Sequence, residues 1–202
     1  MLLNHVWLGL CWLIYCFMHS LLASLSIKSF FKRKMGASFR HYRLAYTLFA
    51  FFALVAIILF QLTIKSSSLF HTGTLLNILG GIIGYSGLAL MLICIKKYFM
   101  SLSGLKSLYT DHVTPSLLIS GIHRYIRHPL YLGTFAFIWG LFLIWPLLSL
   151  LICNVVITLY TLYAIRLEER KLIAEFGDSY RRYKEEVPML LPGLRPKRTR
   201  RA

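Results

Sequence analysis

Long apolar runs separated by short basic segments dominate this chain. Three runs of about 20 residues, enough for a helix to cross the hydrocarbon core of a bilayer, cover 3–25, 44–64 and 75–95. A fourth run from residue 129 to Ile165 is too long for one span and contains a Trp-Pro pair, which interrupts helical hydrogen bonding. It therefore predicts two spans, at 129–144 and 147–166, joined by a tight turn. The fold class predicted is an all-α polytopic membrane protein with about five transmembrane helices.

Basic residues predict the orientation of these spans. Of the 23 Lys and Arg residues, all but Lys65 lie in 26–43, in 96–128 or from residue 166 onward. Loops rich in Lys and Arg stay on the cytosolic side of a membrane. An odd number of spans then places the N-terminus outside and the C-terminus in the cytosol. All seven acidic residues fall on the same predicted side, so any chemistry that needs charged groups is expected at the cytosolic face.

Composition narrows the class of protein. The chain is 57% hydrophobic with a mean hydropathy of +0.65, which excludes an ordinary soluble domain. The basic residues that give the net charge of +16 flank the apolar runs, and no motif for stacking on nucleic-acid bases accompanies them. We therefore expect contacts with lipid and none with nucleic acid. Four cysteines lie in apolar runs without C-x-x-C spacing, which predicts neither disulfides nor a thiolate metal site. Gly80 and Gly84 form a G-x-x-x-G pair that is typical of close helix packing.

The sequence GIHRYIRHPLYLG opens the fourth span with unusual chemistry. Pro129 suits the first position of a helix, because it lacks an N–H that would be unpaired there. The next N–H groups, of Leu130 and Tyr131, form an anion site with the helix dipole behind it, flanked by Arg127 and His128. A carboxylate or a phosphate would bind there. The alternative is a basic anchor that only fixes orientation.

A second polar cluster, RLEERKLIAEFGDSYRRYKEEVPMLLP, begins where the fifth span ends. Glu168 and Glu169 follow more than fifty residues that contain no other acidic residue. Carboxylates beside a membrane helix are costly unless they are paired or functional. The pattern predicts a helix through Phe176 and then a short helix that carries Tyr180 and Tyr183. The alternative is an amphipathic helix that lies on lipid.

The two clusters together suit one ligand. The basic cluster favours a carboxylate, and the glutamates favour a cation. Four tyrosines, Tyr125, Tyr131, Tyr180 and Tyr183, offer aromatic faces to a purine or a sulfonium. S-adenosylmethionine carries all of these groups.

These motifs resemble the isoprenylcysteine carboxyl methyltransferase-like family of integral membrane methyltransferases, over about 75 residues. The pattern is R-H-P-x-Y-x-G, followed by E-E-x-x-L-x-x-x-F-G-x-x-Y-x-x-Y-x-x-x-V-P. The N-terminal half is similar to the bacterial branch that includes methanethiol S-methyltransferase. The resemblance implies an S-adenosylmethionine pocket on the cytosolic side of a bacterial inner membrane. The cofactor residues expected are Leu117, Leu118, His123, Tyr125, Arg127, His128, Pro129, Leu130, Tyr131, Gly133 and Glu169.

The resemblance also places Glu168 at the methyl-transfer end, as a base or as a group that steers the acceptor, with His123 and His128 as alternative bases. The family's protein-modifying members carry an arginine where this chain has Ala164, and Arg166 is the candidate replacement that would orient the acceptor. His123 and Pro115 also replace a tyrosine and a histidine of the family pattern. We therefore expect a small or lipophilic acceptor, in particular a thiol.

Other functions stay open at this point. The enzyme alternatives are carboxyl methylation of a prenylcysteine and methylation of a phospholipid amine. The non-catalytic alternative is an accessory or transport protein of the membrane, in which the charged clusters only set topology. A haem or di-iron oxidoreductase is disfavoured, because the seven histidines form no H-x-x-H-H box. The domains expected are a three-helix region at 1–95, a methyltransferase core at 96–193 and a basic tail at 194–202.

Overall fold

The computed structural model describes residues 2–102, 117 and 119–191, with 98–102 described by their backbone alone. Within these residues every regular element is helical apart from one isolated β-bridge, so the all-α prediction is confirmed. Two 3-10 turns, Gly36–His41 and Gly121–Arg124, accompany the α-helices. The α-helices are α1 Leu2–Ala23, α2 Leu25–Met35, α3 Tyr42–Thr63, α4 Thr74–Leu102, α5 Pro129–Ile144, α6 Leu148–Phe176 and α7 Asp178–Glu186.

The membrane spans are α1, α3, α4 and α6, with the shorter α5 beside them. The first four are long and apolar enough to cross a bilayer. Helix α5 begins and ends at the predicted residues, and its 16 residues make about 24 Å against a hydrocarbon core of about 30 Å. In α6 the apolar span is 148–165, and a charged extension continues from Arg166 to Phe176. An integral membrane protein was therefore the right class.

Two boundaries differ from the sequence prediction. Segment 26–43, predicted as a loop, contains α2, because the Ser24 hydroxyl accepts the Ile27 N–H at 3.4 Å and starts a helix. Gly36 ends that helix with φ of 52°, a value that glycine adopts without strain. The third predicted span, 75–95, is part of the longer helix α4, which begins at Thr74 and continues to Leu102.

Glycines bring α4 and α5 into backbone contact. A Cβ at Gly80 would lie 2.8 Å from the carbonyl oxygen of Gly140, and a Cβ at Gly87 would lie 2.7 Å from that of Gly133. Gly84 faces the same Gly140 backbone. The predicted packing role of the G-x-x-x-G pair is therefore confirmed, and α4 holds α5 in place along its length.

Helices α1, α3 and α6 pack together on the other side of the molecule. The Trp12 indole on α1 donates to the Gln61 side chain on α3 at 3.3 Å. Asn154 on α6 is buried and donates to the Ile138 carbonyl of α5 at 2.8 Å, which joins this group to the α4–α5 pair. At one end Ser66 accepts the Ser149 N–H at 2.9 Å. The opposite end carries the charged extension of α6, and the candidate site lies there.

The α4–α5 contact can be tested with two neighbouring glycines. Gly80→Ala should lower the stability of the folded protein by about 1–3 kcal/mol, because the added methyl overlaps the Gly140 backbone. Gly81→Ala is the matched control, since a Cβ there meets no atom within 4 Å. Denaturant unfolding in detergent measures both variants. Equal stability of the two would contradict the close approach of the helices.

Candidate active site

Helix α5 begins beside the last described segment of the chain. The Arg127 N–H donates to the Pro188 carbonyl at 2.9 Å, and the His128 N–H donates to the Met189 carbonyl at 3.1 Å. Pro129 occupies the first helical position, as predicted. Backbone bonding within α5 starts with Leu132, which donates to the His128 carbonyl at 3.1 Å. The N–H groups between Pro129 and Leu132 therefore precede the helical ladder, as the sequence predicted.

Glu169 is the centre of a buried ion cluster with Arg127, His128 and Lys184. Its side chain lies 2.7 Å from Arg127 Nη2, 2.6 Å from Lys184 Nζ and 3.3 Å from His128 Nε2. Only 4% of Glu169 is exposed. Burial by itself raises the pKa of this carboxyl group, but hydrogen bonds from His128 and Lys184 and the charge of Arg127 outweigh it and lower the pKa to about 2.

Arg127 extends the ion cluster to the backbone of α7. Its guanidinium donates to the Lys184 carbonyl at 2.9 Å and also to the Val187 carbonyl. Arg127 and Glu169, expected to contact the cofactor, thus use their charged groups to hold α6, α7 and the start of α5 together. The planar, forked guanidinium suits such a multiple contact.

Glu168 faces a different environment from its neighbour. Adjacent helical residues point about 100° apart, so the two carboxylates of α6 have mostly different neighbours, although the His128 ring lies between them, 3.9 Å from Glu168 and 3.3 Å from Glu169. The Glu168 side chain is 45% exposed and accepts a hydrogen bond from the Tyr131 hydroxyl at 3.0 Å. The His128 ring stacks on the Tyr131 ring at a centroid distance of 5.7 Å. Glu168 is therefore accessible to a ligand, whereas Glu169 is enclosed.

Glu168 lies in a cavity of about 200 Å³, which we call the polar cavity. The Tyr183 hydroxyl donates to the His123 carbonyl at 2.7 Å and fixes one wall. Burial lowers the pKa of His123, which keeps its ring neutral at pH 7. The lining residues are Leu117, His123, Arg127, His128, Glu168, Leu172, Phe176, Tyr180 and Tyr183.

A larger cavity of about 900 Å³, the apolar cavity, lies among the membrane spans. Side chains from α1, α3, α4, α5 and α6 line it, and most of them are aliphatic or aromatic. Tyr131 lines this cavity while its hydroxyl bonds to Glu168 of the polar cavity. The Tyr131–Glu168 hydrogen bond therefore joins the wall of one cavity to the wall of the other, and we call it the junction of the cavities.

The structure places the predicted site residues in several different positions. Leu117, His123, Arg127, His128 and Glu168 line the polar cavity, and Leu130 and Tyr131 line the apolar one. Gly133 packs against α4, and Tyr125 is 68% exposed. Arg166 is exposed and lies about 200° around α6 from Glu168, so it is on the opposite side of the helix. Leu118 lies outside the described residues.

Sequence reasoning missed part of the polar cavity wall. Leu172 and Phe176 follow Glu168 at intervals of four residues, and such residues share one face of a helix. This spacing was a usable signal. The Tyr180 and Tyr183 rings were noted as aromatic faces, and both line the cavity. The Tyr180 hydroxyl is buried and has no hydrogen-bond partner within the described part of the chain.

A family model described as phospholipid methyltransferase matches residues 79–179, half of the chain. The chain belongs to this family. It is a membrane methyltransferase, and methyltransferases of this family in general use S-adenosylmethionine as the methyl donor. The matched region contains most of α4 and all of α5 and α6, so it includes the start of α5 and both glutamates. The resemblance inferred from the sequence motifs is confirmed.

Curated relatives of this methyltransferase act on different acceptors. Methanethiol S-methyltransferase of Crocosphaera subtropica (strain ATCC 51142 / BH68) is 29% identical over 191 residues, which cover 89% of this chain and 71% of that relative. Protein-S-isoprenylcysteine O-methyltransferase of Schizosaccharomyces pombe is 32% identical over 54% of this chain and 50% of the relative. Methanethiol S-methyltransferase 1 of Bradyrhizobium diazoefficiens is 41% identical over 37% of this chain and 25% of the relative. No solved structure matched the chain.

The two neighbouring glutamates should differ in their effect on stability. Glu169→Gln leaves Arg127 buried without its carboxylate and should cost about 3–5 kcal/mol of stability. Glu168→Gln, at a half-exposed position, should change stability by about 0.5 kcal/mol or less. Unfolding of both variants in the same detergent measures the difference.

The pH dependence of stability gives a second measure of the same cluster. The pKa of Glu169 is about 2 in the fold and about 4.3 in an unfolded chain. Its stabilisation is therefore complete above about pH 4.5 and is lost as the pH falls toward 2. Glu169→Gln should remove this part of the acid-induced loss. A variant with the same acid-induced loss as the parent protein would contradict the ion cluster.

Proposed function

We propose that this methyltransferase transfers a methyl group from S-adenosylmethionine to a small thiol. The donor would bind in the polar cavity and the acceptor in the apolar cavity. The observation that carries the proposal is the Tyr131–Glu168 hydrogen bond at 3.0 Å, because it joins the walls of the two cavities. A methanethiol S-methyltransferase that aligns with 89% of this chain supports a thiol as the acceptor.

The residues of the polar cavity fit S-adenosylmethionine. The buried Tyr180 hydroxyl has no partner within the described residues, and a polar ligand would supply one. Glu168 is a half-exposed carboxylate that complements a cation. The Phe176, Tyr180 and Tyr183 rings offer faces for the purine. The N–H groups at the start of α5 suit the donor's carboxylate.

The chain itself would contribute charge, position and a dry environment to the reaction. When bound, S-adenosylmethionine supplies an electrophilic methyl group on a sulfonium that is a good leaving group. Glu168 holds negative charge at the junction of the cavities, where Tyr131 fixes its carboxylate. The apolar cavity would strip water from an acceptor and align it with the junction. The hydrogen bond from Tyr131 favours a steering role for Glu168. Arg166 is exposed on the opposite side of α6, so we assign it no role in the reaction.

A longer lipophilic thiol is a second candidate acceptor. The apolar cavity of about 900 Å³ is far larger than methanethiol needs and lies among the spans, where a lipophilic molecule partitions. Ala164 stands where the protein-modifying members of the family carry an arginine, which disfavours a prenylcysteine carboxylate.

We also place the N-terminus outside and the active site on the cytosolic face of a bacterial inner membrane. The basic segments 26–43 and 166–184 lie at the ends of spans on the side of the polar cavity, which agrees with the positive-inside rule. S-adenosylmethionine is charged and made in the cytosol, so a pocket that opens to this face has direct access to it.

The buried hydroxyl of Tyr180 gives a direct test of donor binding. Tyr180→Phe removes one hydrogen bond to the donor and should weaken S-adenosylmethionine binding about 5–10-fold, a loss of about 1 kcal/mol. Its stability should not fall, because no protein partner loses a bond. Tyr85→Phe, at an exposed residue of α4 outside both cavities, is the matched control and should bind normally. Isothermal titration in nanodiscs measures both; an unchanged dissociation constant for Tyr180→Phe would remove Tyr180 from the donor site.

A methyl-transfer screen in sealed vesicles tests the reaction and the orientation together. The acceptors are methanethiol, longer alkyl thiols, a prenylcysteine analogue and a phospholipid amine. We expect transfer to thiols, in inside-out vesicles only, because the charged donor cannot cross the membrane. Glu168→Gln should abolish transfer while folding normally. Transfer to the amine or to the carboxylate, with no thiol product, would overturn the proposed acceptor class.

A further inference from the structure

The apolar cavity contains polar groups that the proposed chemistry has not used. His19 of α1 lines the cavity, and among the described lining residues it is the one with an imidazole side chain. The other titratable groups on its walls are phenols and thiols. At neutral pH these are poor proton acceptors, whereas a neutral imidazole accepts protons readily. His19 is therefore the strongest base available to a ligand in this cavity.

Tyr46 of α3 holds the His19 ring. Its hydroxyl oxygen lies 2.9 Å from Nδ1 and 3.0 Å from Nε2, and it is placed to donate to the His19 carbonyl at 3.4 Å. An oxygen at nearly equal distances from both ring nitrogens lies off the direction of either ring N–H, so Tyr46 does not accept from the ring. When its hydroxyl donates to the His19 carbonyl, one nitrogen of the neutral imidazole keeps its lone pair, as a general base requires. The ring is thus fixed by a neighbour in a form that can accept a proton.

His19 lines the same cavity as the tyrosine that bonds to Glu168. The next residue, Ser20, bonds to the Tyr160 hydroxyl at 3.0 Å, and Tyr160 lines this cavity too. Tyr131 lines it as well, and its hydroxyl bonds to Glu168. His19 and the residue at the place proposed for methyl transfer thus face the one cavity proposed for the acceptor.

We propose that His19 is the catalytic base that takes the proton of the thiol acceptor, with Tyr46 as its positioning residue. This inference rests on the proposed thiol methyltransferase function. In the step, the acceptor S–H bond breaks and its proton passes to the free ring nitrogen of His19. The sulfur electron pair forms the bond to the methyl carbon, while the donor carbon–sulfur bond breaks and leaves its electrons on the donor sulfur. The imidazolium then releases its proton to water.

The apolar cavity makes such a base necessary. A free thiol has a pKa near 8.5, and an apolar environment disfavours the thiolate further. Glu168 lines the other cavity, on the far side of Tyr131. A positioned general base contributes about 10²–10⁴-fold to a rate. The competing interpretation is that the His19–Tyr46 contact only holds α1 against α3. An experiment must therefore distinguish this structural role from a catalytic role of His19.

Thiol acidity separates the two interpretations. His19→Gln should lower the rate of transfer to an alkyl thiol by about 10²-fold or more. It should lower transfer to an aromatic thiol, already ionised at the assay pH, much less, because no proton has to be removed. His71→Gln is the control, since His71 is exposed and does not line the cavity. Equal losses for both thiols would show a structural role and overturn the inference.

A second readout needs no turnover. With S-adenosylhomocysteine present, which has no methyl group to transfer, the absorbance of a bound aromatic thiol reports its ionisation. We expect thiolate to appear at lower pH in the parent protein than in His19→Gln, with Tyr46→Phe in between. Tyr15 and Tyr46 contact His19, and the other titratable groups that line the same cavity and could also shift this titration are Cys16, Tyr131, Cys153 and Tyr160.

The outcomes also distinguish this inference from the proposed function. If the parent protein methylates no thiol, the proposed acceptor class fails and His19 loses its substrate. If it methylates thiols while His19→Gln has the parent's alkyl thiol rate and thiol titration, only the assignment of His19 fails. Normal donor binding by His19→Gln is expected, because His19 lies outside the polar cavity.

Discussion

A carboxylate taken out of water destabilises a fold by several kcal/mol unless cations surround it. Glu169 is such a buried carboxylate, so this fold must bring cationic side chains to it. Arg127 meets it from the segment before α5, 42 residues away along the chain, and Lys184 meets it from α7, the helix that follows α6. Their positions in turn fix the start of α5 and the side of α7 that faces the polar cavity. Without this ion cluster, His123, Tyr180 and Tyr183 would have no common frame, and the polar cavity would not exist as a defined shape.

The paired glutamates show how one helix can serve two purposes. A rotation of about 100° between neighbours directs Glu169 into the ion cluster and Glu168 toward the cavities. Glu169, which organises the site, is thus shielded from ligands, whereas Glu168, which is proposed to meet them, is half-exposed. The family pattern shows only two consecutive glutamates. The tertiary contacts are needed to tell the structural glutamate from the one that faces the cavities.

Much of the helical framework could be predicted from hydropathy and helix signals. Pro129 marked the start of α5, and the Trp-Pro pair marked its end, because both effects are local to the backbone. Helix α2 was missed, since its cap at Ser24 and its stop at Gly36 lie in a basic segment without the length of a span.

Site residues were harder to predict because their roles depend on distant partners. Arg127 was expected to bind the cofactor, and a charged side chain near a site has the same sequence signature whether it meets a ligand or a neighbour. Its partner Glu169 is 42 residues away along the chain. His19 was hidden for a related reason: it sits inside an apolar run, and only the packing of α3 against α1 supplies its Tyr46 contact.

Helix α7 has a consequence for how the enzyme is made. Ribosomes deliver the chain from its N-terminus, and α7 is the last of the described helices to emerge. All the membrane spans can therefore insert before Lys184 and the two cavity tyrosines have been synthesised. A nascent chain at that stage has its helices in the bilayer but no closed polar cavity. The cavity proposed for the donor therefore forms late in biogenesis, when the C-terminal segment docks onto Glu169 at the end of the inserted α6.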